Sequence, residues 1–171
     1  MRLEIYHADY PDDPNEDGLW RVHSFCRRHM HFTDPDEFAT PESVDAVKEG
    51  QAFYLSYFEH GNCVWSLMDE GPQCRFDSVR IAGYLEYYGE GKPTEADARE
   101  FLEYYTDWCN GSLYDVQLLD EDGDYIDCQS NVQSKSLKEV AYGMLPALDK
   151  DGNRVTLEDL EMNKMAKDLL L

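Results

Sequence analysis

The residues best equipped for chemistry in this 171-residue sequence are its thiols, imidazoles and carboxylates. Cys26, His29 and His31 lie close together, and a metal site built on them would have to recruit Cys63 or Cys74 from farther along the chain. Structural zinc sites are ordinarily assembled from local ligand pairs such as CxxC or HxxxH, and neither spacing occurs. The five cysteines (Cys26, Cys63, Cys74, Cys109 and Cys128) are odd in number and scattered, which fits reduced thiols in a cytosolic protein and not a disulfide framework. The acidic turns fail a calcium test. An EF-hand loop needs glycine at position 6 and a bidentate glutamate at position 12. Counted from Asp120, those positions hold Tyr125 and Asn131; counted from Asp149, they hold Arg154 and Leu160. No GxSxG, GxGxxG or Walker lysine loop is present. Arg27-Arg28, the only basic doublet, fits a partner for nearby carboxylates. The expectation is therefore a protein without catalytic residues, cofactor or metal. A metal-dependent enzyme is the weakest alternative, and elemental analysis of the purified protein would dispose of it.

What remains is the carboxylates. Thirty-six Asp and Glu against fifteen Lys and Arg give a net charge of −21 and a pI near 4.3. Such a field repels nucleic acid and anionic membrane and attracts basic proteins, of which nucleic-acid-binding grooves are the commonest kind. The acids gather at Asp12, Asp13, Glu16 and Asp17, at Asp34, Asp36 and Glu37, at Asp120, Glu121, Asp122, Asp124 and Asp127, and at Glu158, Asp159 and Glu161. Tyr84, Tyr87, Tyr88, Tyr104 and Tyr105 are candidate anchors for a partner, with Tyr105 better placed in the core.

Positioning these side chains requires a folded body, and 42% hydrophobic with 13% aromatic residues supplies a core. Residues 2–7 alternate as an opening strand, with no apolar leader before them, and no run approaches the roughly 20 apolar residues of a membrane span. Pro11 to Gly18 reads as a loop. Trp20–Cys26 alternates as a strand, and Thr40, Pro41 and Gly50 cap, open and stop a helix over 41–49. Strands follow over Ala52–Phe58, Cys63–Leu67 and Arg75–Tyr88, the last bent at Gly83. Thr94 caps a helix burying Ala98, Phe101, Leu102, Tyr105 and Trp108. Leu113–Leu119 and Tyr125–Cys128 flank an acidic hairpin. Ser136-Leu137-Lys138-Glu139 has the form of a capping box, with Leu137, Val140, Ala141, Met144 and Leu145 at core spacing. Thr156 opens a final helix whose Met162, Met165 and Leu169 are candidates for a seam between two copies.

The sum predicts an α+β protein, a mainly antiparallel sheet packed by three to four helices. It divides into an acidic body over 1–131 and a C-terminal helical segment over 132–171, with a hinge at Asp149–Asn153.

Three segments, taken in order, resemble a known group. They are Ser24–His29, Phe76–Tyr84, and Tyr104–Val116 leading into Asp120–Cys128. Their order is similar to that of a family of small acidic proteins of bacteriophages and mobile elements, in which a WDSGQVGFIY-like strand precedes a helix, an NGDVYGY strand, an acidic hairpin and a DSCWGFYG-like end. The resemblance covers roughly residues 1–131. The chain departs from it at Cys128-Gln129-Ser130-Asn131, which lacks the aromatic glycine run. The resemblance implies a phage accessory protein and brings no catalytic residues with it. By kind and charge it suggests an inhibitor, anti-CRISPR or anti-restriction, that occupies the basic nucleic-acid-binding surface of a host nuclease or surveillance complex in the cytoplasm. The alternative is an acidic adaptor that recognises a host protein through an aromatic or apolar patch.

Overall fold

The computed structural model describes residues 1–146, 148 and 152–171, with the backbone alone at Asp17. The fold is α+β, and the chain forms two compact units: a terminal unit of residues 1–11 with 111–171, and a central unit of residues 12–110. This division differs from the expected 1–131 and 132–171. Of the expected hinge, Asp149, Lys150 and Asp151 lie outside the described residues.

In the terminal unit β1 (Arg2–His7) pairs antiparallel with β6 (Leu113–Leu119), from Arg2 opposite Leu119 to His7 opposite Tyr114. β7 (Tyr125–Gln133) adds to the outer edge of β6, and the two-residue β8 (Glu161–Met162) runs parallel to β1, giving the order β7-β6-β1-β8. Alternation along β1 sends Leu3 and Ile5 inward, where they are fully buried with Val116, Leu118 and Val132. The helices α5 (Leu137–Met144) and α6 (Lys164–Leu170) cover that face with Leu137, Ala141 and Met144, and with Ala166 and Leu170. The C-terminal segment is thus part of this unit's core, because β8 and α6 complete the sheet that the first strand begins.

Two expected caps need correction. Ser136 closes a 3-10 turn (Ser134–Ser136) with helical backbone angles, φ −99° and ψ −7°, and its side chain makes no cap bond. An N-cap needs extended backbone there. Thr156 forms its box with Asp159 around a single 3-10 turn, Leu157–Asp159, and the helix starts only after β8. Its cap is Asn163, whose Oδ1 accepts from the Ala166 and Ile5 amides at 2.8 and 3.3 Å, while Nδ2 donates to the Ile5 carbonyl at 2.8 Å.

The central unit holds a second four-stranded sheet of β2 (Trp20–Ser24), β3 (Ala52–His60), β4 (Asn62–Leu67) and β5 (Ser78–Tyr87), in the order β2-β5-β3-β4. Single-turn helix α1 (Pro14–Asp17) falls within what reads as loop, and it and a second, α2 (Pro35–Phe38), are each begun by an aspartate that accepts a backbone N–H ahead of a proline. α3 (Pro41–Glu49) has the expected Thr40 cap and Gly50 stop. α4 (Glu95–Cys109) starts at a Thr94–Asp97 capping box and buries Ala98, Leu102 and Tyr105 against Trp20, Val22, Leu55, Trp65 and Leu85. Gly83 is required by close packing: a Cβ there would stand 2.6 Å from the His23 carbonyl oxygen. The pairing of β3 with β5 is irregular just beyond it, between Leu55 and Tyr57, and Ser56 Oγ fills the gap by donating to the Arg80 carbonyl at 2.9 Å.

Candidate functional site

The central unit concentrates its reactive side chains around Tyr105 of α4. After β2 the chain turns back on itself: the Ser24 amide donates to the His31 carbonyl at 2.9 Å, and the Thr33 amide to the Ser24 carbonyl at 2.8 Å. This turn presents both His29 and His31 to Tyr105. The His31 backbone N–H donates to His29 Nδ1 at 3.2 Å, so neutral His29 carries its proton on Nε2. That N–H faces the Tyr105 oxygen at 3.5 Å and the Cys109 sulfur at 3.7 Å. On the other side Tyr105 meets His31 Nδ1 in a very short contact, and His31 Nε2 meets Asp13 Oδ2 at 2.7 Å. The second Asp13 oxygen caps α1 through the Asn15 amide at 2.8 Å.

With His29 donating from Nε2, the proton directions follow in one sense. Tyr105 O–H donates to His31 Nδ1, and His31 Nε2–H donates to the Asp13 carboxylate. Trp108 stacks on His31 at 5.6 Å and Trp65 meets His29 edge-on at 5.1 Å, so the chain runs through aromatic surroundings. Burial, then the neighbouring His31, pushes the His29 imidazolium down to about 4, and burial pushes the Tyr105 phenol far up. Both groups are neutral at neutral pH.

Beside this chain two thiols meet. The Asn110 side chain, just past α4, grips the backbone of Cys63 in β4: Oδ1 accepts from its N–H at 2.9 Å and Nδ2 donates to its carbonyl at 2.8 Å. Cys109, the neighbour of Asn110, is thereby brought to Cys63. A hydrogen bond with Cys109 pulls the Cys63 thiol down against burial and Glu59, and the same contact with burial pushes Cys109 up. Both cysteines line a cleft of about 380 Å³ with Arg28, His29, Tyr57 and Glu59.

The Cys26, His29 and His31 cluster that a metal site would have to complete with Cys63 or Cys74 is only partly assembled. Cys26 Sγ faces the Ala82 carbonyl at 4.0 Å, and Cys74 Sγ faces Asp77 Oδ2 at 3.4 Å. Among the described residues no group of three or more His, Cys, Asp or Glu is arranged to hold a metal ion. The thiol that does join His29 and Cys63 is Cys109. Its only signal in the sequence is its place at the end of a capped helix beside a helix-stopping asparagine.

The acidic residues divide between the units. In the central unit Asp12, just ahead of the α1 cap, and Glu16, Asp34, Asp36 and Glu37 on α1, α2 and the α2 cap are exposed. Asp13 is half-buried and engaged with His31, and the Asp17 side chain lies outside the described residues. In the terminal unit Asp120 Oδ1 accepts from the Asp122 and Asp124 amides, both at 2.9 Å, and so builds the turn of the hairpin. Glu121, Asp122, Asp124 and Asp127 are exposed. Asp120, Glu121 and Asp122 share the rim of a hollow of about 400 Å³ with Asp159 and Glu161, from some forty residues later, and with Arg2, whose guanidinium pairs with Glu4 at 2.8 Å.

Of the expected seam, Met162 is buried in the core at 8% exposure, while Met165 and Leu169 are half-buried on the wall of a more open apolar hollow with Ile5, Tyr6 and Tyr114. Tyr84 and Tyr105 belong to the core, and Tyr88 is the candidate anchor left well exposed, at 59%. No helix among the described residues is long and apolar enough to cross a membrane. Compared with family models, curated proteins and solved structures, the chain matches none.

Proposed function

We propose that this chain is an acidic binding protein, phage-encoded, that inhibits a host defence nuclease or surveillance complex by occupying its basic nucleic-acid-binding surface. The observation that carries this reading is the carboxylate rim of the terminal unit. Asp120, Glu121, Asp122, Asp159 and Glu161 come from two distant segments and are held around one hollow by a sheet whose inner residues are fully buried. Carboxylates fixed on such a scaffold present a polyanion to a cationic groove without the flexibility of a tail, and displace the same counterions that a nucleic acid would. Exposed carboxylates on α1 and α2 extend the negative field for long-range attraction, which gives association rate more than affinity.

The test is a pull-down from host lysate at low salt, with mass spectrometry of what is retained, followed by binding measurements on the retained protein. Affinity should fall by about 10³-fold or more between about 50 and 200 mM salt if six or more contacts are made. The doubly reversed variant Glu121→Lys with Asp122→Lys should bind at least about tenfold more weakly at low salt. Both residues are exposed and neither builds the turn, which is why Asp120 is left in place. Affinity insensitive to salt and to this reversal would end the reading.

A second reading, an adaptor that recognises a host protein through an apolar patch, is favoured by the open hollow lined by Ile5, Tyr6, Tyr114, Met165 and Leu169. It predicts salt-insensitive binding that is lost on Met165→Asp.

A further inference from the structure

We propose that Cys63 and Cys109 form a peroxide-reactive dithiol, in which Cys63 is the attacking sulfur and Cys109 the resolving one, closing to a disulfide that ties β4 to the end of α4. Three observations carry this beyond the binding function. The Asn110 side chain clamps both backbone polar groups of Cys63, which fixes Cys63 in β4 beside the end of α4, where its side chain is hydrogen-bonded to that of Cys109. Both cysteines line a cleft of about 380 Å³, large enough for a small hydroperoxide. His29 Nε2, the protonated nitrogen of the neutral ring, lies 3.7 Å from Cys109 Sγ, where it can donate to that sulfur as it loses its proton in the resolving step. The hydrogen bond that draws the Cys63 thiol downward agrees with its assignment as attacking group, since the thiolate is the nucleophile.

The other cysteines lack this setting. Burial pushes the Cys26 thiol up, Cys74 faces the Asp77 carboxylate, and Cys128 is exposed on β7.

The oxidant is a small neutral hydroperoxide. Arg28 and Glu59 both line the cleft, so its charge is balanced, and a neutral molecule is not repelled by a protein of net charge −21 as an anionic disulfide would be. Cys63 gives up its proton and attacks one peroxide oxygen. The O–O bond breaks, the departing oxygen takes that proton to leave as water or an alcohol, and Cys63 becomes a sulfenic acid. Cys109 sulfur then bonds to Cys63 sulfur, and the hydroxyl leaves with the Cys109 proton as water. Two electrons pass from the sulfur pair to the peroxide, and both protons are accounted for.

The decisive experiment uses the unaltered protein, treated with hydrogen peroxide in small molar excess, alkylated, digested and mapped without reduction. The expected result is an intramolecular Cys63–Cys109 link that forms about tenfold faster than any change at the more exposed Cys128. In Cys109→Ser, a sulfenic acid should persist on Cys63 and be trapped by dimedone. Oxidation of Cys128 or Cys74 while Cys63 and Cys109 still alkylate would overturn the proposal, as would a sulfenic acid on Cys63 in the unaltered protein that never closes onto Cys109.

Discussion

Asp13 and His29 illustrate how far a residue's role depends on what folds over it. By sequence Asp13 is one more carboxylate in an acidic turn, yet its two oxygens are divided between the cap of α1 and the imidazole of His31. His29 sits in a polar run but is neutral, because burial disfavours the imidazolium. That has a consequence for stability. Folded His29 titrates at about 4, and an unfolded histidine at about 6.5. Between those values the unfolded chain binds a proton that the folded one does not, so stability falls as pH drops through this window. His23, also shifted down by burial, acts in the same sense. The melting temperature should therefore decline from about pH 6.5 towards about pH 4.5, and His29→Gln should flatten that decline. A variant that keeps the full slope would show that His29 is not the group responsible.

At the scale of elements, two asparagines do work that pattern reading assigns to strands. Asn110 and Asn163 each use a side-chain amide to pair with both backbone groups of a strand residue, Cys63 and Ile5 respectively. Asn163 also caps α6, so one side chain joins helix, sheet edge and the end of β8. Asn163→Ala removes the cap and leaves the Ile5 amide and carbonyl without these partners, which should cost about 2 kcal/mol or more. Asn163→Ser keeps a capping acceptor for the Ala166 amide and gives up the bonds to Ile5, so its loss should be smaller. Chemical denaturation of the three proteins measures both. Equal losses in the two variants would mean that the cap contributes nothing.

For the whole molecule the balance of charge is decisive. Arg99 bridges Glu70 and Glu95, and Arg80 pairs with Asp69, but 36 carboxylates outnumber the available cations more than two to one. Repulsion among the surplus opposes folding, and salt screens exposed charges over about 10 Å at 0.1 M. The melting temperature at neutral pH should accordingly rise by several degrees as sodium chloride increases from about 0.02 to 0.5 M. A fall would mean that the exposed ion pairs outweigh the repulsion. The same screening that stabilises the fold should weaken the proposed complex, so the two measurements move in opposite directions.

Much of the local structure was legible in the sequence. The Thr40 and Thr94 caps, the Gly50 stop, the alternation in β1 and the buried stripe of α4 depend on neighbours within a few residues, and the physics of caps and periodicity acts over that range. The surplus of carboxylates was legible too, since charge needs no fold to be counted. What only the tertiary structure decided was contact at a distance. Thr156 looks like a helix start, but pairing of Glu161–Met162 with β1 delays the helix to Lys164. Residues 132–171 read as an appendage, but their apolar faces are what cover the first strand. Cys109 joins Cys63 because an asparagine reaches across from helix to strand, and His31 takes Asp13 because the chain after β2 folds back. Such pairings are fixed by burial and by the need to satisfy polar groups removed from water, conditions that exist only once separate segments have packed together.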